Sequence, residues 1–134
     1  MHVQSMGPDE LVVVRGGSLR DPSVLHELVL DNEEMGLAAL SVFAAKPLNG
    51  ELFADVVRRI CGEAKIPHGK VQVATEASLT KAGFRLEPDT SDGQPDHHHH
   101  VLFTSPVQES QSIAFVEAFS APIENPARSH RIAS

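Results

Sequence analysis

The sequence contains no tryptophan, no tyrosine and one cysteine, Cys61, and each shortage excludes something. Without Trp and Tyr, the usual anchors of protein–protein hot spots are missing, and stacking on nucleic-acid bases would depend on phenylalanine or histidine. One cysteine excludes an intrachain disulfide and a CxxC metal motif. Its position at the end of a helical apolar pattern favours a buried side chain over a catalytic thiol.

Long uncharged apolar runs are also missing. No run approaches the roughly 18 residues of a membrane span, and the first residues lack the basic and apolar regions of a secretion signal. We therefore expect a cytoplasmic protein without a membrane contact.

Positive charge is scarce: the net charge is −7 over 134 residues. An acidic total disfavours a non-specific nucleic-acid coat. A local basic patch would still permit RNA contact, and the alternative is an ordinary solvated face. The basic residues concerned are Arg58, Arg59, Lys65, Lys70, Lys81 and Arg85.

The apolar pattern alternates between the strand and helix periods. It predicts strands over 11–14, 37–45, 70–75, 84–87 and 97–104, and helices over 21–35, 51–64, 75–82 and 110–119. We expect an α+β fold with a single mixed β-sheet of four to five strands and helices mainly on one face, ferredoxin-like or related. A small doubly wound α/β domain is the alternative. Residues 10–120 form the predicted domain, with a mobile leader over 1–9 and a flexible tail over 121–134.

Four consecutive histidines, His97 to His100, run into the last predicted strand. In a strand, His97 and His99 face one way, and His98 and His100 face the other. Together with Asp96, His97 and His99 form a candidate site for zinc or another divalent metal. Asp89 and Asp92 are further carboxylates upstream.

His98 and His100 are the candidate general acid and base, since imidazole exchanges protons near neutral pH. The structural alternative is that these histidines cap a loop and face solvent.

Arg15 ends the first strand and is followed by Gly16 and Gly17, whose amides can approach an anion closely. We expect Arg15 to stabilise phosphate charge, with Gly16, Gly17, Ser18 and Arg20 binding the substrate. The alternative is a tight β-to-α turn with a surface arginine.

Three segments, 13–17, 36–44 and 79–84, together resemble a group of small actinobacterial proteins to which no activity is assigned. Arg15 after the first strand and Ser41 in the second are similar to residues that hold NAD in ADP-ribosyltransferase domains. Here Ser41 is followed by Val42 and Phe43 rather than a polar turn, and no Glu-x-Glu follows. The element order with a reactive histidine is similar to that of small ferredoxin-like RNA-cleaving proteins.

Three functional hypotheses follow. The first is an enzyme acting on RNA or a nucleotide phosphate, as a toxin or defence component, with His98, His100 and Arg15 at its site. The second is a non-enzymatic module that binds or neutralises a protein partner. The third, implied by the resemblance alone, is NAD-dependent ADP-ribosyl transfer. The oligomeric state stays open.

Overall fold

A computed structural model describes residues 10–127, which form ten secondary-structure elements. The strands are β1 Val12–Gly16, β2 Ala39–Ala45, β3 Lys70–Thr75, β4 Arg85–Pro88, β5 His98–Leu102 and β6 Ile123–Glu124. The helices are α1 Pro22–Glu34, α2 Phe53–Glu63, α3 Glu76–Lys81 and α4 Glu109–Ala118.

The strands form one sheet in the order β4-β5-β2-β1-β3-β6, and every neighbouring pair is antiparallel. The predicted α+β class with a single sheet is confirmed. The sheet has six strands rather than four to five, and the described strands include no parallel neighbours. The sheet is thus antiparallel rather than mixed. After α1, the chain returns as β2 and runs beside β1 in the opposite direction. The doubly wound alternative does not hold.

Alternate residues of β1 pack into two hydrophobic cores, one on each face of the sheet. Val13 belongs to the larger core, with residues of α1, α3 and α4, whereas Val12 and Val14 belong to the smaller core, with residues of α2. The predicted placement of helices mainly on one face is therefore confirmed. Because α2 packs mainly on β1 and β2, it leaves the same face of β5 and β4 less covered.

Helix α1 begins where its sequence predicts. Asp21 accepts a hydrogen bond from the Ser23 amide at 2.9 Å, and Pro22 occupies the first helical turn. Both features satisfy or remove amides that a helix start leaves unpaired. Gly36, with φ of 111°, follows the end of the helix in the left-handed region that glycine tolerates.

The fold continues past residue 120, where a flexible tail is expected from the sequence. Strand β6 pairs with β3, and Asn125 is buried. The Asn125 amide donates to the carbonyls of Ile66 (3.1 Å) and His68 (2.9 Å), so it ties this segment to the loop after α2. A two-residue strand carries too little periodicity to be recognised in sequence. The predicted leader over 1–9 and the rest of the predicted tail, 128–134, lie outside the described residues.

The longest helix, α1, has 13 residues, and no helix within 10–127 is both long and apolar enough to cross a membrane.

Candidate metal centre

Strand β5 presents His98 and His100 on the less covered face of the sheet. In the antiparallel register, His98 lies opposite Phe43 and His100 opposite Ser41 of β2. Val101 packs into the larger core on the other face. Because neighbouring strand residues alternate between faces, His98 and His100 share the face that Phe43 occupies. The rings of Phe43 and His98 lie 5.8 Å apart.

Asp89, the residue after β4, completes a three-residue group. Its amide donates to the His98 carbonyl at 2.9 Å, which continues the β4–β5 pairing one residue beyond the strand. Its Oδ2 lies 3.0 Å from His98 Nδ1 and 3.8 Å from His100 Nε2. The two imidazole centroids are 5.1 Å apart. The hairpin register thus brings Asp89 to two histidines, the nearer of which lies nine residues further along the chain.

The Asp89 carboxylate is held in its charged form. The Ser91 hydroxyl donates to Asp89 Oδ1, and the Ser91 amide donates to the same oxygen at 3.0 Å. These bonds, and after them the interaction with His98, lower the pKa of Asp89. Because Ser91 engages Oδ1, the second oxygen, Oδ2, remains directed at the histidines.

The group is shielded without being closed. The side chains of His98, Asp89 and His100 are 10%, 13% and 26% exposed. Solvent therefore has access mainly on the His100 side, and a ligand can approach there.

One ligand atom from each of Asp89, His98 and His100 lies within 4.8 Å of the others, so the group could hold a metal ion. Two histidines and one carboxylate suit a divalent transition metal, whereas magnesium and calcium prefer oxygen ligands. Three protein ligands also leave coordination positions open, as in catalytic rather than structural zinc sites.

A shallow depression of about 260 Å³ adjoins the group. It lies between the end of α1 and the start of β2, and His100 forms one of its walls. The Asn32 amide donates to the Ala39 carbonyl at 2.8 Å, which fixes the end of α1 against β2. The lining residues are Asn32, Met35, Leu37, Ala39, Ser41 and His100.

The predicted metal ligands His97, His99 and Asp96 are not brought together. His97 has φ of 68°, lies before β5 and places Nε2 2.7 Å from Glu63 Oε1. His99 faces the side opposite His98, and its Nδ1 lies 2.8 Å from the His97 carbonyl oxygen. Asp96 is exposed beside the end of α2. The left-handed backbone at His97 starts the strand one residue later than expected. The β4–β5 register places Asp89 beside His98 and His100 rather than beside His97 and His99.

Arg15 lies on the other face of the sheet from His98 and His100. It shares the face of Val13, donates to the Leu19 carbonyl at 3.1 Å and sits 5.6 Å from the centroid of the Phe115 ring. Burial lowers the pKa of its guanidinium. Arg15 therefore joins the β1–α1 turn to α4 and does not meet the two histidines.

The Gly16–Gly17 segment is held by protein partners. The Gly17 amide donates to the Lys70 carbonyl at 2.8 Å, and an added Cβ at Gly16 would collide with the His68 ring. The buried Gln72 amide donates to the carbonyls of Gly17 and Leu19, both at 3.2 Å. These contacts favour the alternative of a tight β-to-α turn.

The remaining predicted substrate-binding residues lie on or after the same turn. Ser18 is exposed, and Arg20 donates to the carbonyls of Phe119 (3.2 Å) and Ser120 (2.8 Å). Ser41 lies opposite His100 on β2, across the sheet from Arg15. The pair implied by the ADP-ribosyltransferase resemblance is therefore separated by the sheet.

Three of the six basic residues considered for RNA contact form ion pairs. Arg59 pairs with Glu51 at 2.9 Å, Lys70 with Glu124 at 2.8 Å, and Arg85 with Glu87 at 3.7 Å. They lie on α2, β3 and β4, which are different parts of the fold. Paired charges spread in this way are typical of a solvated surface.

Ser91 and the depression beside His100 were not identified from the sequence. Asp89-Thr90-Ser91 is an Asx-turn pattern, in which a carboxylate accepts the amide two residues on, and this signal could have selected Asp89 among the upstream aspartates. The depression has no local signal, because it forms where α1 ends against β2.

Comparisons with protein-family models, with curated proteins and with solved structures found no match to this chain.

Proposed function

We propose that the protein binds one divalent transition-metal ion through Asp89, His98 and His100, and that the ion serves hydrolytic chemistry on a small substrate. The observation that carries this proposal is the convergence of Asp89 Oδ2 on His98 Nδ1 at 3.0 Å and on His100 Nε2 at 3.8 Å. Ligand atoms around a transition metal lie about 3.0 Å apart in octahedral geometry and about 3.4 Å apart in tetrahedral geometry when metal–ligand bonds are about 2.1 Å. All three ligand atoms lie within 4.8 Å of one another, and His100 Nε2 must move closer to Asp89 Oδ2 for both to bind one ion.

The charge balance supports an ion at this position. A carboxylate kept in its charged form meets two imidazoles, which bind metals when neutral. The hydrogen bonds from Ser91 orient the carboxylate from behind, as outer-shell partners do in metal sites.

The open side of the group supports a catalytic rather than a structural role. A divalent ion with free positions polarises a carbonyl or phosphoryl oxygen and lowers the pKa of bound water. The partial exposure of His100 leaves room for a substrate there. The Ser41 hydroxyl lies on the neighbouring strand, where it can orient a polar group of the substrate.

Metal titration of the purified, metal-free protein tests the proposal. Zinc and cobalt are expected to bind with a stoichiometry of one, measured by calorimetry and by the visible absorption of cobalt. His98→Ala, His100→Ala and Asp89→Asn should each weaken binding at least tenfold, since each removes or weakens one of three ligands.

The histidine run supplies its own matched controls. His97→Gln and His99→Gln remove imidazoles of the same run that do not belong to the group. Binding should survive both changes. If all four histidine substitutions weaken zinc binding equally, the run binds metal without a defined site and the proposal fails.

A metal-free acid–base role is the second candidate, and the 3.0 Å contact between Asp89 and His98 favours it. A carboxylate at that distance orients an imidazole, as required for general acid–base chemistry on RNA or a nucleotide phosphate. The test is cleavage of RNA or of a nucleotide phosphate. Cleavage that persists in the presence of a chelator and disappears in Asp89→Asn would support this candidate over the metal centre.

A further inference from the structure

We infer that the metal centre accepts a small ligand that joins a metal-binding oxygen group to an uncharged apolar group, and that the apolar group occupies the depression beside His100. This inference rests on the proposed metal binding. His100 belongs to both features, since it is a member of the ligand group and a wall of the depression. A ligand held by the ion therefore has the depression next to it.

The lining of the depression combines three apolar residues with three polar ones. Met35 is 87% exposed and Leu37 is 48% exposed, so both present apolar surface to solvent. Covering such surface is favourable by about 25 cal/mol per Å². Ser41 and Asn32 add neutral polar groups, and none of the six described lining residues is lysine or arginine.

The charges around the depression disfavour phosphate. The last turns of α1 carry Asp31, Glu33 and Glu34 and no basic residue. Arg85 of β4 lies opposite Leu102, on the face of the sheet that carries His100. Its guanidinium is 3.7 Å from the Glu87 carboxylate. A polyanion such as RNA would approach these carboxylates, and the described lining offers no lysine or arginine to bind it.

The volume sets the size of the ligand. Small-molecule sites usually range from about 300 to 1,000 Å³. A depression of about 260 Å³ lies just below that range and is open to solvent. It can hold one ring or a short branched chain, and not an extended oligomer.

Two hydroxamates with the same metal-binding head test the inference on the cobalt-loaded protein. Acetohydroxamate carries a methyl group and benzohydroxamate a phenyl ring. We expect benzohydroxamate to bind about tenfold more tightly, because covering roughly 60 Å² of apolar surface is sufficient for that factor. The measurement is a titration of the cobalt absorption spectrum.

Leu37→Ser should reduce the tenfold preference for benzohydroxamate over acetohydroxamate to about threefold. The affinities for acetohydroxamate and for cobalt should stay unchanged. Met35→Gln is a second, independent variant of the same surface. Leu48→Ser is the matched control, since Leu48 is 59% exposed in the loop before α2 and does not line the depression. The control should retain the full preference.

The outcomes separate the two proposals. Failure of cobalt to bind overturns the metal centre itself. Cobalt binding with equal affinity for both hydroxamates overturns only the inference about the depression. Inorganic phosphate or a single-stranded oligoribonucleotide that binds the cobalt protein more tightly than benzohydroxamate also overturns the inference, and assigns the open side to phosphate ligands.

Discussion

Zinc is expected to stabilise the folded protein by less than its affinity for the native centre implies. The unfolded chain keeps four consecutive histidines, which can bind zinc without a fold. In the folded protein, His98 and His100 are the two histidines of this run that converge with Asp89. A ligand that binds both states stabilises the native state only by the difference between the two binding free energies.

The size of the effect follows from that difference. If the native centre binds zinc about thirtyfold more tightly than the unfolded run does, saturating zinc adds about 2 kcal/mol to the free energy of unfolding. For a chain of 134 residues, each kcal/mol raises the Tm by about 3.6 °C, from an unfolding entropy of about 2.1 cal/mol/K per residue. The expected increase in Tm is therefore about 7 °C.

Removing the two other histidines should increase this effect. The double substitution His97→Gln and His99→Gln leaves the native group intact and takes two imidazoles from the unfolded chain. If zinc binding by the unfolded chain then weakens about tenfold, the zinc-linked stabilisation grows by about 1.4 kcal/mol, or about 5 °C in Tm.

The assay is thermal unfolding followed by far-UV circular dichroism, with and without saturating zinc, because the chain has no Trp or Tyr for fluorescence. Each variant is compared with itself, so any loss of baseline stability cancels. Asp89→Asn should give little or no increase in Tm with zinc. A smaller zinc effect in the double variant than in the wild type, or an unchanged effect in Asp89→Asn, would refute the reasoning.

Three further predictions concern the rest of the fold. Gln72→Leu should lower the free energy of unfolding by about 2 kcal/mol in urea denaturation, because a buried side chain loses two hydrogen bonds. Gln111→Leu loses two exposed hydrogen bonds and should lower it by less than about 1 kcal/mol. Equal losses in the two variants would contradict this. The hydrogen bond from Arg59 lowers the pKa of Glu51, so its contribution is present above the ordinary value of 4.5 and is lost as the pH falls through the lower folded value. Glu51→Gln should flatten the acid limb of stability plotted against pH, and an unchanged limb would argue against the pair. Cys61 is buried and burial raises its pKa to about 11, so Ellman's reagent should label it at pH 8 only after denaturation; rapid labelling of the native protein would contradict this.

Much of the fold could be predicted from the sequence because its elements carry strong local signals. The alternation over Lys70–Thr75 predicts β3 with its observed bounds, and Asp21 with Pro22 predicts the start of α1. The order of the strands could not be predicted, because hydrophobic periodicity specifies which residues face a core and not which strand lies beside them. The sixth strand depends on pairing of Ile123 and Glu124 with β3, which leaves no periodic signal.

The histidine run shows where local reasoning about a site reaches its limit. Alternation along a strand correctly separates His98 and His100 from His99, yet it cannot say which pair gains a third ligand. That choice depends on two long-range facts: α2 packs mainly on β1 and β2, so it leaves the His98 face accessible, and the β4–β5 register sets Asp89 opposite His98. The left-handed backbone at His97 then removes that residue from the strand and directs it to Glu63. Four identical neighbours thus acquire three different environments, and the chemistry of each follows from the register of the sheet rather than from the residue type.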